Sequence, residues 1–272
     1  MLREPAMDQA GARIEWAGVD EAIGHAEAGG AVIGAAVIAP SGERFAHNAT
    51  RRFVAASTVK VPVMIALFRQ IEAGRHRLDE PYTLRNADRT EGSGVLLYLH
   101  EGARFTLGDL VYLMISISDN TATNVLIDMV GMARVNEIMR ELGMAGSTLE
   151  RKMRGSSAAA GAAENWATPE DYARVMAALL EHRAASAASC AAMLGYLEKQ
   201  QNDRRIARHL PKDHRPRWGS KTGSLAGVAN DVGFVELARG MLVLSVFCEK
   251  IEAMAGEEAI GAISRAAIAA VG

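Results

Sequence analysis

The pattern of apolar positions divides this chain into three parts. Residues 14 to 28 carry a short amphipathic pattern that predicts a helix, and the stretch GGAVIGAAVIAPSGERFAHNAT that follows reads as two β-strands. A break at Pro40-Ser41-Gly42 makes those strands a hairpin. A second β-rich block lies near the other end, where RWGSKTGSL, VANDVGFVEL and MLVLSVFCEK predict three strands with a turn at Ala238-Arg239-Gly240. The last segment places Ile260, Ile263, Ala267 and Val271 at helical spacing, as one face of a terminal helix requires.

Between the two β blocks the period changes. TLGDLVYLMISIS, NTATNVLIDMVG, MARVNEIMRELG and TPEDYARVMAALLEH repeat every 3.6 residues, and Gly131 and Gly143 punctuate their ends. The chain therefore reads as an α/β fold with a mainly helical lobe inserted: 1–56 plus 216–272 form the α/β lobe, and 57–215 form the helical one. A seam between two such lobes is a natural ligand cleft.

Composition narrows the function. The 272 residues carry a formal net charge of −2 without a run of like charges, so neither a nucleic-acid groove nor an anionic membrane is favoured as a partner. A monomeric enzyme acting on a small molecule is expected. Cys190 and Cys248 lie far apart and form no CxxC pair, which argues against a zinc site or a disulfide framework; no metal and no cofactor are expected. The N-terminal stretch has charges throughout and lacks the apolar core of a secretory signal, so a cytoplasmic protein is expected as the sequence stands, or a periplasmic or secreted one if an export signal is missing.

Chemistry enters with FVAASTVKVPVMIALF, where Ser57 and Lys60 stand one turn apart at the start of an apolar helix. At i, i+3 spacing the two side chains stack within hydrogen-bond reach, and the electropositive helix start lowers the lysine pKa, making it a proton acceptor for an adjacent nucleophile. Alone the pair is weak evidence, because a chain of this length holds roughly one Ser-x-x-Lys by chance. Its company changes that. Ser118-Asp119-Asn120 and Lys221-Thr222-Gly223 follow in order, and each tripeptide arises by chance in only about one such chain in twenty.

These three motifs, spread over nearly the whole chain, resemble those of the class A β-lactamase-like serine hydrolases of the penicillin-recognising superfamily. The resemblance implies a five-stranded antiparallel sheet flanked by helices. It also implies roles: Ser57 is the acylated nucleophile, Lys60 its general base or relay, and Ser118 a proton donor to the leaving nitrogen, helped by Lys221. Lys221, Thr222 and Ser224 would bind the substrate carboxylate, Asn120 would donate its amide to the substrate, and Gly223 would let the substrate lie against the strand. The backbone N–H groups of Ser57 and Ser224 would form the oxyanion hole. Asp119 is expected to brace its loop through backbone hydrogen bonds. The scattered histidines receive no role.

Two departures stand out. In the loop TLERKMRGSSAAAGAAENWATPED, Met153 occupies the place where the family carries the glutamate that activates the deacylating water. Glu150 and Glu164 are the candidates left, and Arg151 with Glu164 is expected to tie the neck of the loop. Ala229 and Asn230 stand where many relatives have an arginine, which leaves Lys221 as the carboxylate's one cation. The expected function is a serine acyl-enzyme hydrolase that opens a β-lactam amide through Ser57 with slow deacylation. The alternatives are a D-alanyl-D-alanine peptidase, another amidase or esterase acting on an acyl peptide or ester, and a penicillin-binding protein without turnover.

Overall fold

The computed structural model describes residues 13–159 and 161–272. Its frame is a five-stranded antiparallel sheet in the order β2-β1-β9-β8-β7, from β1 (Val32–Ile38), β2 (Arg44–His47), β7 (Trp218–Leu225), β8 (Val228–Leu237) and β9 (Gly240–Glu249). The two ends of the chain meet where β1 pairs with β9, with Ala35 opposite Val246. Central strands β1, β8 and β9 are buried on both faces, which explains the near-continuous apolar runs of β1 and β9, whereas β8 also buries Asn230 and Asp231. Helices α1 (Ala17–Ala28) and α8 (Ala253–Val271) cover one face, over a core that includes Ile33, Val37, Leu244, Val246, Ile260 and Ile263.

The opposite face meets the central helices. α2 (Lys60–Glu72) is buried on nearly every side and forms the axis around which α3 (Leu107–Ser116), α4 (Asn120–Val130), α5 (Met132–Glu141) and α7 (Ala187–Leu197) are arranged. α6 (Pro169–Leu180) lies against β1, β8 and β9. Local chemistry starts these helices. Thr106 and Asp109 form a reciprocal capping box at α3, and Thr168 caps α6 ahead of Pro169. α7 carries no amphipathic signal in its sequence, because AASCAAMLGYL is apolar or small at almost every position and shows no clear stripe.

Two short pairings lie outside the periodicity argument: β3 (Phe53–Val54) with β6 (Trp166–Ala167), and β4 (Pro81–Thr83) with β5 (Arg104–Thr106). Strands of two or three residues leave no pattern to detect, yet β3 and β6 join the segment before Ser57 to the end of the 149–165 loop. Among the described residues no helix is long and apolar enough to cross a membrane.

Gly34 on β1 shows how tightly the inner face is packed. A Cβ there would lie 2.3 Å from the Phe53 ring and 2.8 Å from Pro169. Gly34→Ala should therefore destabilise the protein by about 1–3 kcal/mol through overpacking, read as a lower urea midpoint with an unchanged slope.

Candidate active site

The nucleophile candidate sits on a 3-10 turn, Ala56–Val59, that runs directly into α2. Ala56 holds φ at +46°, a left-handed conformation that costs a residue with a Cβ about 1 kcal/mol or more. Ser57 follows, 8% exposed, at the mouth of a cleft of about 530 Å³ that Ser118, Thr222 and Ser224 also line.

Lys60 does not pair with Ser57 as its spacing suggests. Its ammonium donates to Ser118 O at 2.7 Å, Ser118 Oγ at 3.0 Å and Asn120 Oδ1 at 2.9 Å, and among the described residues no Lys60–Ser57 hydrogen bond is present. The reason is local geometry. Ser118 has φ +61°, which turns both its carbonyl and its hydroxyl toward α2, and three converging acceptors outcompete one hydroxyl.

From the other side Lys221 Nζ donates to Ser118 Oγ at 3.1 Å and to Thr222 O at 2.9 Å. A single hydroxyl thus lies between two fully buried ammonium groups. Burial is the main cause of the low Lys60 pKa, which falls well below the usual 10.5, and the charge of Lys221 lowers it further while Asp119 opposes the shift. Desolvation does what sequence reasoning assigned to the helix start. Burial pushes Lys221 down to about 7, with Asp231 raising it and Arg205 lowering it.

Asp119 braces its loop as expected. Its carboxylate accepts from Val95 N at 2.7 Å, Leu96 N at 2.9 Å and Ala122 N at 2.9 Å, the last capping α4. Gly94 (φ +114°) is required here, because a Cβ would fall 2.2 Å from that carboxylate. Asn120 is more committed than its sequence role implies. Its Oδ1 accepts from Lys60, and its Nδ2 donates to Glu91 O at 2.9 Å, so one amide N–H remains for a ligand.

Gly223 is explained by the protein before any substrate. A Cβ at this position would lie 3.0 Å from Ala55 O and 3.2 Å from Ser57 N, so the glycine lets β7 press against the nucleophile turn. Behind β7 stands Arg205, a residue that sequence reasoning missed. It is 3% exposed and donates to Gly223 O at 2.8 Å, Asn230 O at 2.6 Å and Ser224 Oγ at 2.6 Å. Lys221 is thus not the only cation near this strand, since Arg205 holds β7 and the Ser224 hydroxyl from behind. Arg205 comes from the 198–217 connection, where no periodic pattern or motif marks it, and the sequence signal was confined to its place among several arginines in NDRRIARHL.

On the opposite wall Met153 is buried and its backbone is clamped by Asn124, which accepts from Met153 N at 2.8 Å and donates to Met153 O at 2.9 Å. Met153 and Ser57 share the lining of a small cavity of about 50 Å³. Glu164 borders it too, but its carboxylate accepts from Arg151 Nε at 2.9 Å, Arg151 Nη2 at 3.0 Å, Ala158 N at 2.8 Å and Asn165 N at 2.8 Å. Burial opposes ionisation, yet these donors outweigh it and hold the carboxyl below the usual carboxylate value. Glu150 is half-exposed and bonded to Thr148 Oγ1 at 2.9 Å.

A sheet of this topology with a serine, two buried lysines and a second serine at its seam defines a penicillin-recognising serine hydrolase architecture. Residues 19–271 match the model of the beta-lactamase enzyme family, and the chain belongs to that family. Among solved structures, a β-lactamase from Sphaerobacter thermophilus is 57% identical with a TM-score of 0.94, covering 95% of this chain and 98% of that one. An ancestral class A β-lactamase is 28% identical at TM-score 0.85 over 93% and 99%, and PBP-A is 25% identical at TM-score 0.83 over 93% and 95%. Beta-lactamase BRO-1 of Moraxella catarrhalis is 25% identical over 71% of this chain, and the match spans 62% of that protein's length.

Glu164→Gln should cost roughly 1.5–3 kcal/mol at neutral pH, the value of hydrogen bonds to a charged group. Because the folded pKa is depressed, the wild-type advantage is full above the ordinary value of 4.5 and disappears as pH falls through the lower folded value. Urea titrations of both proteins across that range check the window.

Proposed function

We propose that the protein is a serine acyl-enzyme hydrolase that opens a β-lactam amide through Ser57, with slow deacylation. The observation that carries this reading is the convergence of Lys60 and Lys221 on Ser118 Oγ beside Ser57. Ser57 Oγ attacks the carbonyl carbon, and its proton passes to Lys60 in its unprotonated form, which burial favours by lowering the lysine pKa. As the C–N bond breaks, Ser118 gives its proton to the leaving nitrogen and regains one from Lys60. The backbone N–H groups of Ser57 and Ser224 would receive the developing oxyanion.

The substrate carboxylate falls to Lys221, Thr222 and Ser224, with Arg205 bonded to the Ser224 hydroxyl from behind. Charge-assisted hydrogen bonds of this kind favour anionic substrates. Release of the acyl group needs a base beside a water, and the wall next to Ser57 offers the thioether of Met153. Glu164 is consumed by its four donors, which supports the slow step. A second reading, a D-alanyl-D-alanine peptidase, another amidase or esterase, or a penicillin-binding protein without turnover, is favoured by the same methionine and by likeness to PBP-A, of which a variant is known as an acyl-enzyme with penicillin G.

Stopped-flow hydrolysis of a chromogenic cephalosporin should give a burst of about one equivalent and then a slow phase, since a general base contributes about 10²- to 10⁴-fold. Intact-mass measurement should show the adduct, and Ser57→Ala should abolish it. Fast linear turnover without accumulation would reject the slow-deacylation assignment, and an adduct on the variant would reject Ser57.

Acylation by a carboxylate-bearing penicillin should also fall as pH rises through about 7, where Lys221 loses its charge, because kcat/KM reports the free enzyme. Lys221→Ala should remove this limb and weaken penicillin more than a neutral p-nitrophenyl ester. Equal losses for both substrates would restrict Lys221 to proton transfer.

A further inference from the structure

Ser57 stands between two hollows of very different size. On one side lies the cleft of about 530 Å³ lined by Ser118, and on the other the cavity of about 50 Å³ bordered by Asn120 and Met153. The roles of these residues assign one end of a substrate to each. Ser118 protonates the leaving nitrogen, so the nitrogen side of the scissile bond occupies the large cleft. Asn120 offers its free amide N–H to the acyl side, which therefore faces the small cavity.

The small cavity is confined by two segments, 90–93 and 153–156, that both hang on α4. Asn120 Nδ2 donates to Glu91 O at 2.9 Å, while Asn124 Nδ2 donates to Thr90 Oγ1 at 3.0 Å and to Met153 O at 2.9 Å. The two segments then meet backbone to backbone. A Cβ on Gly92 (φ +100°) would lie 2.7 Å from Gly155 Cα, and one on Gly155 (φ +71°) would lie 2.9 Å from Gly92 Cα. Both glycines line the cavity, so their contact closes it. A benzene-sized group needs about 150 Å³, which these walls do not leave. The large cleft is bounded differently. Its far wall is the 200–204 segment, seated by the buried Gln200, whose Nε2 donates to Ile115 O at 3.4 Å and Ser220 O at 3.3 Å. That wall is polar throughout, and its charges are already paired, Asp203 with Arg215 at 3.1 Å and Arg204 with Glu257 at 3.2 Å.

We propose that the site selects substrates by shape on the two sides of the scissile bond, taking a compact acyl group and an extended, polar nitrogen-side portion. The chemical class is an amide or β-lactam whose bulk and hydrogen-bonding groups lie beyond the leaving nitrogen. Gly92, Met153 and Gly155 set the limit on the acyl side, and the 200–204 segment receives the other end. This rests on the reading of Ser57 as nucleophile and Ser118 as proton donor to the leaving nitrogen.

The test begins with two penicillins that share a nucleus and differ in the acyl group, acetyl against 2,6-dimethoxybenzoyl, each acylation rate divided by the compound's rate with hydroxide. A misfit of a methylene or more in a confining pocket changes kcat/KM by about 10- to 200-fold, so the acetyl compound should acylate Ser57 faster by about tenfold or more. Met153→Ala should narrow that ratio by widening the wall. Should that variant fail to fold, Arg154→Ala, an exposed side chain on the same lining, takes its place. On the nitrogen side, two cephalosporins share the acetyl group and carry at C3 either a methyl or a carbon-linked carboxamide chain. Gln201→Trp, an exposed position on the far wall, should slow the longer compound more than the methyl one. A dimethoxybenzoyl penicillin that acylates as fast as the acetyl one overturns the proposal. So does a ratio that the wall variant leaves unchanged, or a Gln201→Trp protein that slows both cephalosporins equally. Protein that neither penicillin acylates would instead reject the function, and the same acyl pair on p-nitrophenyl esters of glycine would then decide the shape of the acyl side.

Discussion

Two ammonium groups meeting at one hydroxyl are the constraint around which this molecule is arranged. Moving a charged amine out of water costs several kcal/mol even after the protein relaxes, and two of them close together add repulsion. The site meets that cost in two ways. It gives Lys60 three oxygen acceptors and Lys221 two, and it depresses both pKa values so that the full double charge need not persist. The compromise is also what chemistry requires, because a lysine that readily sheds its proton is a base.

The loop on the opposite wall follows a different logic. Arg151, Glu164, Asn165 and Asn124 spend their polar groups on one another and on the loop backbone, and this fixes where Met153 lies. The result is a wall of defined shape beside Ser57 whose bordering carboxylate, Glu164, is held by its own donors. The carboxylate that is present serves the loop, and Met153 sets an apolar side chain into the wall that it shares with Ser57.

Much of this was legible in the sequence, and the reasons differ by element. The five strands were legible because β1 and β9 are apolar runs and turn signals at Pro40-Ser41-Gly42 and Ala238-Arg239-Gly240 mark their neighbours, and seven of the eight site residues because three motifs fix their identities and order. Ser57, Ser118, Thr222 and Ser224 line one cleft, with Lys60 and Lys221 bonded to Ser118 and Lys60 to Asn120 behind it. Connectivity within the site was not legible. Spacing alone placed Lys60 with Ser57, whereas the left-handed Ser118 draws it away, a feature that resides in backbone geometry and not in residue type. Arg205 was missed for a related reason. A buried charge in an irregular connection has no periodicity, and the groups it binds, Gly223 O, Ser224 Oγ and Asn230 O, lie on strands further along the chain, so only the folded arrangement reveals the contacts.

The close approach of β7 to the nucleophile turn also bears on how the molecule comes into being. Gly223 packs within a methyl group's width of Ala55 and Ser57, and β1 pairs with β9 across some two hundred residues of intervening chain. Contacts that distant in sequence close late and slowly, because loop closure precedes their reward. On a ribosome, Ser57 emerges long before the strand that completes its surroundings. Nascent chains lacking β7 to β9 therefore lack Lys221 and the strand that presses against the turn of Ser57, and the seam is complete only once the sheet has closed.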